Sequence, residues 1–534
     1  MKRTFLFLLI IQASFHVFPQ SWNLTQKLGS SDHDNGDNLG ISVAINDTLF
    51  FAGAWWEDGD PFVSTSGAAY IYQKMPNGQW QQIQKLNPPN PEPLGYFGFS
   101  VAVDENYALV GAYNEDEGGT GNAGAVYAYR RGANHLWELE DRLVANDGQN
   151  GDLFGYSVAI TGEYALIGAP ENDYDENGGE LKDGAGAAYM FKRQPDGKWN
   201  QLRKLIALDR EEGDHFGKYL DIDNLGLVIG AFDADNGFSQ FGVGKAYGAR
   251  CNDTLIFWGY PDVTSSDLLA FSSSDKDNFE NFGWDVAISG KWAVIGKSGE
   301  SNQPGGGFGG NTGAAYFFYW ENGQWVEKQK VYASDFDQNS FFGRSIGIDG
   351  SVCVIGAGTA RTDANGQNPK NGAGAAYIFE LQPNGKWAEV DKITGTQRNF
   401  NDLFGEAVDV SGTHIVVGAW QADSVGNEVF SDGGAVYVFE RNEALEAKSL
   451  PAQSNLKLIN HPLASGKLQF LNHGKMPLDL KIRVLTLQGQ EVYTNDLQMY
   501  QSYVIDLEHL AGGVYFIEIQ RQGYVPVGWK WILR

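Results

Sequence analysis

Apolar residues along most of this chain gather in short runs, and the runs are of two kinds. Tyr164–Ala169 (Tyr-Ala-Leu-Ile-Gly-Ala) hardly alternates, which predicts a strand buried on both faces. Trp199–Leu205 (Trp-Asn-Gln-Leu-Arg-Lys-Leu) alternates apolar with polar residues, which predicts an outer, half-exposed strand. Two further runs complete the set. Residues 154–160 (Phe-Gly-Tyr-Ser-Val-Ala-Ile) predict a first strand, closed by a short turn at Thr161-Gly162-Glu163. Residues 185–191 predict a third strand, reached through a long polar loop over 170–184. Pro195-Asp196-Gly197 is a hairpin turn joining the third strand to the fourth. The region contains no convincing amphipathic helix.

This four-strand phrase occurs seven times, at Leu39-Gly40, Phe97-Gly98, Phe154-Gly155, Phe216-Gly217, Phe282-Gly283, Phe342-Gly343 and Phe404-Gly405. A period of roughly sixty residues with four antiparallel strands per unit predicts blades set around a centre. Small residues in the inner strands let neighbouring blades approach near the axis, and the Phe of each Phe-Gly pair is expected to wedge between blades. The outer strand shows how the ring closes. Its copies are Trp80–Leu86, Trp137–Leu143, Trp199–Leu205, residues 325–331 and Trp387–Ile393, with Leu255-Ile256-Phe257-Trp258 expected in that place in the fourth repeat. The seventh repeat has none, yet Trp22–Leu28 is the same strand with no repeat before it. The N-terminal strand therefore completes the last blade, which removes both open sheet edges. The fold class read from this pattern is all-β: a closed seven-bladed β-propeller followed by a small C-terminal β-sandwich.

The combination of Phe-Gly, Gly168-Ala169-Pro170 and Gly-Ala-Ala-Tyr resembles the FG-GAP repeat, a family that includes the propeller of integrin α-subunits and many bacterial secreted proteins. The third copy is nearest to the pattern; the fifth has Gly296-Lys297-Ser298 where Gly-Ala-Pro is expected. Integrin-type repeats carry a calcium loop between their first two strands. Here those connections are short (Asn46-Asp47, Asp104-Glu105-Asn106, Thr161-Gly162-Glu163), so that site is not carried over.

Near the C-terminus the pattern changes. Alternation at Leu468-Gln469-Phe470 and Ile482-Arg483-Val484-Leu485 is followed by a turn at Gln488-Gly489-Gln490, then Ile505-Asp506-Leu507, Gly513-Val514-Tyr515 and a basic last strand ending at Arg534. This ordering resembles the C-terminal sorting domain of the type IX secretion system of Bacteroidetes-type bacteria. It departs at His461-Pro462, where that family usually has Asn-Pro. The resemblance implies a partner in the secretion machinery, export across the outer membrane, and release or surface attachment; an accessory binding sandwich is the alternative. At the other end, Met1-Lys2-Arg3 and the apolar run after it read as a secretory signal, too short to span a bilayer comfortably. An uncleaved anchor is the alternative there. The organisation expected is a signal peptide over 1–20, the propeller over 21–440, a linker over 441–454 and the sorting domain over 455–534, in a secreted or outer-surface protein with no transmembrane segment in the mature chain.

Charge narrows the partners. Lys and Arg number 39 and Asp and Glu 66, a net charge of −27, so nucleic acid and anionic lipid surfaces are repelled. Only Cys251 and Cys353 are present, in different repeats, and two buried free thiols are expected rather than a disulfide.

Two patterns carry candidate chemistry. Asp173, Asp175 and Asn177, followed by Gly178, have the spacing of a Ca²⁺ loop, with a partial echo at Asp233 and Asp235. A second acidic series (Asp32, Asp147, Asp275, Asp335) lies just before Phe-Gly. The alternative is that these are turn residues capping strand ends in water. The residue after the second-strand Gly-Ala is aromatic in four repeats: Trp55 (then Trp56), Tyr113, Phe232 and Trp420. Equivalent positions fall on one annulus, where aromatic faces suit sugar rings or a protein partner, or else cover the ends of inter-blade cores. No metal-ligand spacing among the histidines, no Gly-x-Ser-x-Gly elbow and no phosphate loop appears. The reading is a binding protein for an extracellular protein or glycan. A carbohydrate-active enzyme on a propeller scaffold and an architectural envelope protein are the alternatives.

Overall fold

The computed structural model describes residues 22–441 except 33, 59–63, 117–120, 236–240, 251–262, 302–309, 426–427 and 430, together with the strands of the C-terminal region. The expected signal peptide, the linker beyond Arg441, Cys251 and the segment 255–258 lie outside the described residues. The chain divides into two compact units, Met1–Arg441 and Asn442–Arg534.

The first unit is a ring of seven four-stranded antiparallel sheets. Blades 1 to 6 take four consecutive strands each, over 39–86, 100–143, 158–205, 220–271, 282–331 and 345–393. Blade 7 joins Ala407–Ser411, His414–Ala419 and Ala435–Arg441 to Trp22–Leu28 as its outer strand. That pairing runs from Trp22 opposite Arg441 to Leu28 opposite Val436. The closing strand is tied on both sides. The Trp22 backbone N–H donates to Asp391 Oδ2 of blade 6 at 3.1 Å. The Gln26 amide exchanges two bonds with the Trp80 backbone of blade 1, at 3.0 and 2.9 Å.

The repeated Phe-Gly phrase is a bend before it is a strand. The residue preceding it has a left-handed backbone in every blade: Asn38, Tyr96, Leu153, His215, Asn281, Phe341 and Leu403, with φ between 51 and 58°. The Gly that follows the Phe is also left-handed, as at Gly98 (φ 90°). Regular pairing in blade 3 accordingly begins at Val158, not at Phe154. The bend aims the Gly98 carbonyl at the preceding blade. A Cβ on Gly53 would lie 1.7 Å from that oxygen, so the Gly of Gly-Ala admits no side chain. The seam between blades 7 and 1 repeats this contact, with a Cβ on Gly418 placed 2.0 Å from the Gly40 carbonyl.

The cores lie between blades. Phe97 is fully buried among Phe51, Ile71 and Leu86 of blade 1 and Val110 and Tyr127 of blade 2, as the wedge reading expects. Towards the axis, side chains on the inner strands reach the next blade. Ser42, Ser100 and Ser157 each donate to a Phe-Gly carbonyl at 2.8 Å. Asp221, Asp285 and Asp409 each accept one N–H from their own strand and one from the next blade, at Ile288, Ile346 and Ile45. Burial pushes these three carboxyls up to about 8, about 7 and about 7.

Blade 4 corrects the sequence reading. Its outer strand is Leu269–Phe271, paired with Ala246–Gly248, and not residues 255–258. The substitution has a consequence in the polar belt behind the cores. In most blades a third-strand Tyr meets an acid and a basic residue of the outer strand: Tyr70 with Asp32, Glu57 and Lys85, or Tyr377 with Asp335 and Lys392. Ala270 occupies the basic position in blade 4, and the cation comes from the third strand. Lys245 and Tyr247 both reach Asp209 at 2.7 Å. In blade 5, Lys297 stands where Ala is usual and is fully buried against Glu280, Glu300 and Asp275.

The second unit is all-β. One sheet holds Leu456–Leu458, Lys467–Asn472 and Ser502–Asp506; the other holds Glu491–Met499, Leu478–Thr486, Gly513–Arg521 and Val527–Leu533 in that order. Among the described residues no helix is long and apolar enough to cross a membrane, and Cys353 is a buried free thiol.

Candidate ligand-binding face

Antiparallel pairing puts the start of each first strand and the end of each second strand at one end of the ring, as where Leu39 opposes Ala54. The long loops after the second strand and before the next Phe-Gly open at that same end. The short first-to-second strand turns, and the short third-to-fourth turns of blades 1, 2, 3, 5 and 6, are at the other.

Two repeat positions line this end. One is the residue after Gly-Ala that the sequence singled out. The other is the residue after Phe-Gly, which the sequence reading passed over: Ile41, Phe99, Tyr156, Lys218, Trp284, Arg344 and Glu406, all half-buried. Together they make a connected chain of rings. Trp420 meets Trp55 edge-on at 6.4 Å, and Trp55 meets Trp56, Tyr96 and Phe99 at 5.0 to 5.5 Å. Phe99 contacts Tyr113 at 4.5 Å and Tyr156 at 4.9 Å. The chain continues through Tyr219 to Trp284 and Phe232. All five aromatic candidates therefore belong to one array. They are not equivalent in access: Phe232 is 5% exposed and Trp56 44%. Phe232 fills a core end, whereas Trp56 faces solvent. The indole N–H groups of Trp55, Trp284 and Trp420 have no hydrogen-bond partner among the described residues.

Beyond Tyr156 the lining becomes charged. Lys218 lies over the rings of Phe232 (4.6 Å) and Tyr156 (5.4 Å). Arg344 lies over Trp284 at 5.2 Å and pairs with Glu406 at 2.8 Å. Burial pushes the Glu406 carboxyl up, and Arg344 opposes it. His215 sits between Asp233 (3.1 Å) and Glu171 (3.3 Å), whose hydrogen bonds push its pKa up to about 9. A cleft of about 130 Å³ opens here between Asn281, Trp284, Phe341 and Arg344.

The acidic candidates have other engagements. Asp175 accepts backbone N–H groups from Gly179, Asn177 and Glu180 at 2.9, 2.8 and 3.1 Å, which hold its carboxyl below the usual range. Asp173 accepts from Gly184 at 2.9 Å and Asp235 from Gly242 at 2.8 Å, while Asp233 meets His215 and Asn281. The structure does not gather these residues, with Asn177, into one set. Among the described residues no three of His, Cys, Asp and Glu stand together as a metal site. The second acidic series serves the polar belt: Asp32, Asp147, Asp275 and Asp335 each pair with a lysine at 2.5 to 2.7 Å.

A family model for the FG-GAP repeat matches residues 22–72, 80–129, 137–191, 199–247, 268–318, 325–379 and 387–439. A second, for a secretion system C-terminal sorting domain, matches 464–533. No curated protein matches this chain. Among solved structures it is similar to the periplasmic gluconolactonase of Pseudomonas aeruginosa, at 12% identity over 67% of this chain and 86% of that one, with a TM-score of 0.43. It is also similar to a DUF3244 family protein with an immunoglobulin-like β-sandwich fold from Bacteroides vulgatus, at 16% identity over 16% of this chain and 92% of that one, with a TM-score of 0.15.

Proposed function

The chain belongs to the FG-GAP repeat family and carries a secretion system C-terminal sorting domain, and from that premise we propose that its propeller is a recognition module that binds an extracellular protein or glycan through the loop-bearing end of the ring. The sorting domain marks the chain for export, to the cell surface or beyond it. One observation carries the binding reading. The four exposed aromatic side chains among the described residues, Trp56, Phe241, Phe279 and Phe400, all lie in loops at that one end. Exposed aromatic area on a single face is costly to leave in water and suits an interface.

The enzyme alternative needs carboxylates free to act on a substrate. Asp221, Asp285 and Asp409 lie on the inner strands, and each is held by two backbone N–H groups. That commitment favours binding over hydrolysis. The test is a screen of glycans and matrix proteins against the full chain, with and without calcium, repeated with Trp55→Ala/Trp56→Ala. Capture that the double variant loses supports the proposal. A chain that captures nothing, or hydrolyses a glycan it meets, overturns it in favour of an architectural or enzymatic role.

A further inference from the structure

One residue breaks the run of aromatic side chains at the repeat position after Phe-Gly. Phe99 and Tyr156 are followed, at the same repeat position in the next blade, by Lys218. Its ammonium lies over two aromatic faces and forms no hydrogen bond or ion pair with any described residue, whereas Arg344, two blades further on, is matched by Glu406. Burial lowers the Lys218 pKa and the charge of Arg344 adds to that, while Asp233 and Glu171 oppose. The ammonium therefore has three N–H donors and a partly stripped water shell, and it borders the mutually tilted rings of Phe99, Tyr113 and Tyr156. Rings and cation together offer the two contacts that a sugar ring bearing one carboxylate needs: its C–H face packs on an aromatic side chain and the anion meets the lysine. A long polyanion does not suit the site, because the chain as a whole carries −27 and the neighbouring cations His215 and Arg344 are already paired with carboxylates.

We propose that the mouth of the propeller binds a saccharide carrying a single carboxylated sugar, with Lys218 as the group that recognises the carboxylate. This rests on the binding reading above and narrows its ligand class.

The test uses matched pairs that differ in the acid alone, cellobiouronate with cellobiose and 3′-sialyllactose with its sialic acid carboxamide, titrated calorimetrically into the full chain. One charge-assisted contact predicts that the acidic member of at least one pair binds about tenfold tighter or more. Lys218→Met removes that preference, so that the two members of a pair bind alike, and Lys218→Arg keeps it; melting curves matching the parent show that both variants fold. Equal affinity within both pairs overturns the inference and leaves the aromatic glycan reading standing. A preference that survives Lys218→Met overturns the assignment to this residue. If no saccharide binds but a matrix protein does so through Trp55 and Trp56, the inference fails and the recognition reading holds. If nothing binds, both fail.

Discussion

The two halves of the propeller mouth are built on one repeat and differ in chemistry. From blade 7 through blade 3 the lining is Trp420, Trp55, Phe99, Tyr113 and Tyr156, rings in contact with rings. From blade 4 through blade 7 the residues after Phe-Gly are Lys218, Trp284, Arg344 and Glu406. Backbone geometry is shared by both halves, including the left-handed residue before every Phe-Gly. The repeat thus separates two jobs. Phe and Gly fix the seam between blades, and the very next side chain is free to vary because it lies at the mouth, outside the seam. An aromatic half beside a charged half is what this freedom has produced.

The largest perturbation removes the aromatic half's support. Deleting residues 22–28 strips blade 7 of its outer strand and opens the ring between Trp420 and Trp55; the expected result is loss of a single cooperative melting transition, read by calorimetry. Next, the division of labour is tested by neighbours. Phe97→Ala is expected to cost about 3–5 kcal/mol, because a fully buried ring is lost from a core shared by two blades. Phe99→Ala, two residues on and half-buried, is expected to cost less than half of that in denaturant melts and to weaken ligand capture. Equal losses would dissolve the distinction between seam and mouth.

In the charged half, Arg344→Met leaves Glu406 half-buried without its partner. We expect a loss of about 1–2 kcal/mol, discounted for the partial exposure of the arginine. A smaller effect lies in pH. Asp221, Asp285 and Asp409 keep their protons to about 8, 7 and 7 in the folded chain, well above an unfolded aspartate. Folding then takes up protons between about pH 4 and 8, so stability falls as pH rises through that window. Melting temperature measured from pH 5 to 9 should decline and then level, and Asp221→Asn should flatten the slope. The smallest expected effect is that of calcium. Asp175 already accepts three backbone N–H groups, so millimolar Ca²⁺ should leave the melting temperature unmoved; a rise of several degrees would place an ion in the 173–177 loop.

The ring was legible because its closing strand is conspicuous: Trp22–Leu28 carries the outer-strand pattern and has no repeat of its own. Blade 4 was misread for the converse reason. Its outer strand is three residues long and lacks the Trp, while Trp258 offers the expected residue in the wrong place. The first strand of blade 3 was drawn too early because Phe and Tyr favour strands by composition, and only the positive φ values at Leu153 and Gly155 break the extension. At the site, the aromatic positions after Gly-Ala were visible as a column in the repeat. The column after Phe-Gly was equally available and was hidden by its variety, since Ile, Phe, Tyr, Lys, Trp, Arg and Glu share no chemistry, only an address. The acidic loops left two readings open, because Asp-x-Asp spacing does not distinguish a carboxylate that waits for an ion from one already satisfied by its own backbone.

The strand that seals blade 7 gives the protein an unusual timetable. Trp22 is among the first of the described residues to be made, and its partner Arg441 lies more than four-fifths of the way along the chain. Until that partner arrives the wheel stands open at one spoke, with an unpaired strand at each rim of the gap. A chain of this kind stays incomplete through nearly all of its synthesis and locks in a single late step, so anything that handles it before then meets an unfinished ring.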